Sequence, residues 1–345
     1  MVIVKRALAL WAAALTLLIA SMANAQDLKP MSIGVYTGSF VSLPIYVGVE
    51  SGIYEKHGLD VSTVDFRSAP EATAAMMSGA IDLMGNSVGN LMLVNKQGMD
   101  MVTVIEGYPT PVWVIVVNKG IATPHKGDGY PSLIVDLKGL KVGVPAIGSD
   151  GHNFMRRFAS DAGLNPETDV TYVAAGLGPN ALAAFKAGQL DAIIAIEPVA
   201  ELLKGIGGTV LLDLALDKSV PQFESWTSSV WHTRRKHADE NADAMHAFQK
   251  AHEEALEFIS NPANRTATAE IWSKYNKALT QDVMISVLDR LGPLVSPYFN
   301  CQGIDNFAQF QVDNSLITPS EKQSCADLVW SGAKQYERDT AVYLR

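Results

Sequence analysis

The stretch Pro70-Glu-Ala-Thr-Ala-Ala-Met-Met-Ser-Gly-Ala-Ile-Asp82 returns 109 residues later as Pro179-Asn-Ala-Leu-Ala-Ala-Phe-Lys-Ala-Gly-Gln-Leu-Asp191. Pro, three Ala, Gly, an aliphatic residue and Asp keep their register. The same offset relates Leu28-Lys29 to Leu137-Lys138 and Ile33-Gly34-Val35 to Val142-Gly143-Val144, so the repeat spans a whole lobe rather than one helix. Its middle drifts, with Gly58-Leu59 pairing best with Gly163-Leu164. Two like α/β lobes leave a cleft between them, and clefts are where small molecules bind.

Each copy alternates strands with helices, which argues for a parallel sheet covered on both faces. In the first copy, strands are expected over 31–36, 61–66 and 81–84, with helices over 45–56, 70–78 and 88–97. Ser68-Ala-Pro-Glu71 has the capping-box pattern, with Pro in the first turn. The second copy places strands over 140–145, 170–173 and 190–196, and helices over 152–162 and 179–187. Two apolar, strand-like flanks, 101–118 and 211–231, read as crossovers that join the lobes and form a hinge. Beyond Trp231 the chain turns helical. Ala244, Phe248, Ala251, Ala255 and Ile259 recur at helical spacing, and this tail is expected to pack back on the first lobe. The expected fold is therefore two doubly wound α/β lobes joined by two hinge crossovers. Residues 26–117 plus 222–345 form the first lobe and 118–221 the second.

Lys5 and Arg6, an apolar run of 14 residues over 7–20 and the Ala23-Asn24-Ala25 site read as a secretory leader over 1–25, cleaved before Gln26. A spanning helix needs about 20 apolar residues, more than this run supplies. The formal net charge is −9, and −11 once Lys5 and Arg6 leave with the leader. That balance argues against nucleic acid or an anionic membrane as partner. Cys301 and Cys325, 24 positions apart in an exported chain, suggest one disulfide stapling the C-terminal segment, or two buried thiols where the geometry does not allow it.

In a doubly wound sheet, ligands bind beyond the carboxyl ends of the strands. The repeat then points to residues 37–42, 85–89, 146–153 and the segment after Ile196. Helix-entering loops present free N–H groups. With Ser39, Ser42, Asn86, Ser87 and Ser149 they suit a carboxylate, sulfonate or phosphate without lysine or arginine, although the same residues also suit helix caps. Asp150 and Glu197 put carboxylates into loops expected to face the cleft. Asp150 also fits the first turn of a helix, whereas Glu197, followed by Pro198, is the better candidate for binding an amine or hydroxyl. Tyr36, Phe40, Tyr108, Trp113 and Trp226 lie at or near strand ends and offer rings for stacking. The G-x-S-x-G, Walker-loop, H-E-x-x-H and C-x-x-C signatures are read as missing, and the seven histidines are scattered, with His152 beside Asp150 the nearest to an acid–base pair. No catalytic set, metal site or cofactor is expected.

Residues 44–61 (Pro44-Ile-Tyr-Val-Gly-Val-Glu-Ser-Gly-Ile-Tyr-Glu-Lys-His-Gly-Leu-Asp-Val61), Ser78-Gly-Ala-Ile-Asp82, Leu137-Lys-Gly-Leu-Lys-Val-Gly-Val-Pro145, Ala187-Gly-Gln-Leu-Asp-Ala192, Glu197-Pro198 and Asn261-Pro-Ala-Asn-Arg265 resemble the periplasmic substrate-binding proteins of ABC importers. The group in question handles aliphatic sulfonates, taurine, nitrate and thiamine-precursor pyrimidines. The resemblance implies a type II periplasmic binding fold, capture of a small polar solute by lobe closure, delivery to a permease in the inner membrane, and a monomer. By position it implies contacts from Tyr36, Thr37, Ser39, Phe40, Asn86, Ser87, Ser149, Asp150, His152 and Glu197; Trp226 joins them as a candidate ring. Asp150 stands where sulfonate binders commonly have a small residue, which argues against a simple sulfonate. An enzyme on the same scaffold and a sensor partner of a membrane receptor are the competing readings.

Overall fold

The computed structural model describes residues 27–220, 223, 225–339 and 341–342. The leader read over 1–25 lies outside the described residues. Among the described residues, ten strands build two five-stranded sheets: β1 (Lys29–Tyr36), β2 (Leu59–Phe66), β3 (Leu83–Ser87), β4 (Met101–Tyr108), β5 (Val114–Val117), β6 (Lys141–Val144), β7 (Thr171–Ala174), β8 (Ala192–Ala195), β9 (Thr209–Asp213) and β10 (Ser229–Arg234). The first sheet runs β2-β1-β3-β10-β4 and the second β7-β6-β8-β5-β9. In each, the first three strands are parallel, and the fourth, supplied after the chain has crossed from the other lobe, is antiparallel to both neighbours.

The chain thus passes between sheets within 109–113 and again within 214–228. Strand β5 belongs to the second sheet, so the first lobe gives way before Val114 rather than at the expected 117. The reason is local. Val114-Ile-Val-Val117 is wholly buried, and a β-branched run apolar on both faces suits a strand flanked on both sides.

The repeat is structural at the level of single bonds. Asp82 donates its N–H to Ser32 O at 2.8 Å, and its Oδ2 accepts from Ser32 N at 2.8 Å. Asp191 makes the same pair with Lys141, at 2.9 and 2.8 Å. Each aspartate therefore clamps the parallel strand beside it. Gly79 and Gly188 end the preceding helices at φ 79° and 71°, where a side chain is disfavoured. A Cβ on Gly34 would lie 2.7 Å from Ile81 Cδ1, and one on Gly143 would lie 2.8 Å from Leu190 Cδ1, so the repeated Gly and aliphatic residues are packing partners.

The C-terminal tail packs on the first lobe as expected. The helix Ala242–Ser260 meets the helices Leu43–Glu50 and Ile53–Lys56, through Lys56 Nζ to Glu254 Oε1 at 2.7 Å and Tyr54 Oη with His252 Nδ1 at 3.3 Å. The helix expected over 45–56 is broken into those two by Gly52 at φ 66°. Further along, Trp272 in the helix Arg265–Tyr275 donates to Gly38 O at 2.8 Å and holds the loop after β1. Cys301 and Cys325 form a disulfide joining the helix Cys301–Asp313 to the helix Cys325–Leu328. No helix among the described residues is long and apolar enough to cross a membrane.

Candidate functional site

A cavity of about 190 Å³ lies between the lobes. From the first lobe it is lined by Tyr36 at the end of β1 and Val41 beyond it, Ser68, Ala69 and Pro70 after β2, Asn86 and Ser87 at the end of β3 and Asn90 beyond it, and Ser228 and Ser229 at the entry to β10. From the second come residues 145–150 after β6, Leu177 after β7 and Ile196 after β8. Val112 and Trp113, on the first crossing segment, close one side. The two lobes contribute equivalent positions. Ser68 and Leu177 are 109 residues apart, as are β1 Ser32 and β6 Lys141.

Local structure explains the polar groups. Ser87 is the N-cap of the helix Val88–Lys96, its Oγ accepting from Asn90 N at 3.0 Å. Asn86 Nδ2 donates to Asn90 Oδ1 at 2.9 Å. Ser149 caps the helix Asp150–Asp161 and donates to Ala146 O at 2.7 Å. The cap reading of these serines therefore holds alongside their place in the cavity wall. Ser68 differs. It stands at the N-cap of the helix Ala69–Ser78 without a side-chain cap bond, and Glu71 Oε2 accepts from Arg67 N rather than from Ser68 N. The expected capping box does not form, and its serine lines the cavity.

Tyr36 and Asp150 dominate the electrostatics. Tyr36 is 8% exposed, and its buried hydroxyl has no hydrogen-bond partner. Burial raises the phenol's pKa, and the charge of Asp150 adds to the rise. Asp150, across the cleft, is pushed up to about 6 by desolvation, opposed by a hydrogen bond from Ser87 of the other lobe. No Lys, Arg or His is among the described residues lining the cavity.

Of the positions expected from sequence, Tyr36, Asn86, Ser87, Trp113, Ser149 and Asp150 meet in the cavity wall, whereas Thr37, Ser39, Phe40, Ser42, Tyr108, His152, Glu197 and Trp226 do not. Thr37 donates to Asp65 Oδ1 at 2.7 Å and is exposed. Ser39 is buried against Ser42. The ring of Phe40 packs in the core on Tyr108 and Trp272, with centroids 5.0 and 5.7 Å away. His152 accepts from Gly148 N at 3.0 Å and sets its ring edge-on to Tyr172, away from the cavity. Trp226 lies in an aromatic cluster with Phe223 and Phe307, at 4.7 and 4.4 Å. Glu197 is the largest correction. Its side chain is 1% exposed and bound by Arg290, while the preceding Ile196 takes the place in the cavity wall.

Sequence reasoning missed Ser68 and Leu177, although the strand-end rule it applied to β1, β3 and β6 also covers β2 and β7. It also missed Ser228 and Ser229, which only the sheet pairing of β10 brings next to β3.

Gly85-Asn86-Ser87-Val88-Gly89 spells G-x-S-x-G, which corrects the reading of that signature as missing. In hydrolases that serine occupies a strained strand-to-helix turn with a histidine partner. Here Ser87 has φ −76° and ψ 152°, ordinary extended backbone, and its Oγ is taken up by the helix cap and Asp150.

A model of the NMT1-like family matches residues 25–273. The chain belongs to the NMT1-like family. A Brucella abortus protein named as a binding protein is 28% identical over 257 residues, 73% of each chain. Among solved structures, the alkanesulfonate-binding protein of Xanthomonas axonopodis pv. citri, bound to MOPS, superposes with a TM-score of 0.71 at 21% identity, covering 89% of this chain and 100% of its own. The periplasmic nitrate-binding protein of Synechocystis PCC 6803 gives 0.69 at 15% identity, over 92% and 88%. This NMT1-like chain therefore has the two-lobed periplasmic binding protein fold, as its motifs implied.

Proposed function

We propose that the protein is the solute-binding component of an ABC-type importer, working as a monomer in the periplasm. It captures a small polar organic solute between its lobes and hands it to a permease in the inner membrane. The observation that carries this reading is the cavity itself, lined by equivalent loops of both lobes and flanked by the chain crossings that join them. A solute touching both walls stabilises the closed arrangement by its differential affinity for it. Family membership and the fold shared with binding proteins for sulfonates and nitrate point the same way.

Binding without turnover is supported by the states of the polar groups: Ser87 and Ser149 cap helices, and His152 is engaged with Gly148 N. The reading is tested by identifying solute extracted from protein purified from the periplasm, then titrating that solute back by calorimetry with small-angle scattering. The expected result is saturable one-to-one binding, a smaller radius of gyration and unchanged solute recovered afterwards. Chemical conversion of the solute by the purified protein would overturn it.

A further inference from the structure

The chemistry of the cavity wall narrows what it can hold. Tyr36 lines the wall and carries a buried hydroxyl with no hydrogen-bond partner. Such a group bears its full desolvation penalty until something bonds to it. Asp150 is the one carboxylate among the described lining residues and comes from the opposite lobe. Tyr36 and Asp150 line the same cavity from opposite sides, so the two border a common space. Near them no cationic side chain among the described lining residues offsets the carboxylate. The helix N-termini do not reverse this balance, since Ser87 and Ser149 already occupy N–H groups of two of them and Asp150 itself stands in a first turn. The remaining wall is largely apolar, with Val112, Trp113, Pro145 and Leu177. A volume of about 190 Å³ falls below the ~300–1,000 Å³ of drug-sized sites.

We propose that this cavity selects a compact solute without negative charge that carries an N–H donor beside a hydrogen-bond acceptor, the pairing found in a carboxamide, urea or lactam, with the donor on Asp150 and the acceptor on the Tyr36 hydroxyl. The inference rests on the reading of the protein as a solute binder. It assigns Tyr36 and Asp150, one from each lobe, as the two specificity-determining contacts, so one small solute bridges the lobes through them. A fully ionised sulfonate or nitrate would meet a carboxylate with no cation to neutralise it.

The test is calorimetric and thermal-shift titration of wild type, Tyr36→Phe and Asp150→Asn with acetamide, urea, 2-pyrrolidinone and nicotinamide, set against methanesulfonate and nitrate. We expect at least one amide-type probe to bind wild type and neither anion to do so. Each variant should lose about tenfold or more in affinity for that probe. Tyr36→Phe should do so without lowering the melting temperature of the free protein, since it removes an unpartnered hydroxyl. Binding of either anion to wild type, tightened in Asp150→Asn, would overturn the solute class and leave the solute-binder reading standing. Failure of every amide-type probe would also overturn it, and the periplasmic extract then decides the broader reading separately.

Discussion

Arg290, on the helix Gln281–Leu291 that packs with the first lobe, donates through Nη2 to the buried carboxylate of Glu197 in the second. Its Nη1 lies 2.5 Å from Asp213 Oδ2 at the end of β9, so one guanidinium holds two carboxylates of the opposite lobe. Removing a partner from a buried pair leaves a charge without compensation, at a cost of about 3–5 kcal/mol. Arg290→Met is therefore expected to lower unfolding free energy by that order in urea titration. Adding Glu197→Gln should recover part of the loss, and the coupling in the double-mutant cycle measures the pair.

Gly303 sits where the helix Cys301–Asp313 meets the backbone of Trp226. A Cβ there would lie 2.3 Å from Trp226 C and 2.6 Å from Thr227 N. Backbone cannot swing aside as a side-chain end can, so Gly303→Ala should destabilise by about 1–3 kcal/mol or more. Gly127, with nothing within 4 Å of the added atom, is the control and should be nearly neutral. Thermal melts of both variants check the contrast.

The disulfide closes a loop of 24 positions. Replacing Cys301 and Cys325 by serine should cost about 3 kcal/mol in the chain-entropy account. Reducing agent should shift the wild-type melt to the same degree and leave the variant unmoved.

Acid should destabilise the first lobe. His232 and His252 are fully buried, and desolvation holds each down to about 3. Between that value and the ordinary 6.5, the unfolded chain binds protons that the folded chain refuses. Stability from these groups is thus present above about pH 6.5 and lost as pH falls, at up to ~1.4 kcal/mol per pH unit for each histidine. Asp150 acts in the opposite sense. Its folded value of about 6 exceeds 3.8, so its contribution is present below about pH 4 and lost as pH rises through 6. Denaturation of wild type and Asp150→Asn across pH 4–7 should give curves that diverge as pH falls, by at most ~3 kcal/mol. Parallel curves would contradict the shift assigned to Asp150.

What the sequence determined by itself is the unit that repeats. The Pro, Gly and Asp spaced through 70–82 and 179–191 are local instructions: a helix start, a left-handed stop and a clamp on the adjoining strand. Such features act within a few residues or one strand of their own position, so their spacing is legible without coordinates. The strand-end rule carried this as far as Tyr36, Asn86, Ser87, Ser149 and Asp150. Only the tertiary structure decided which neighbours of those residues face the cavity. Glu197 turns to Arg290, 93 residues away on a helix that no pattern links to it, and Trp226 turns into rings from two distant helices, Phe154 and Phe307. Ser228 and Ser229 reach the wall because β10 is inserted between β3 and β4 after the chain returns from the second lobe. Burial and ion pairing are set by such long-range contacts, which depend on how whole elements pack rather than on residue spacing.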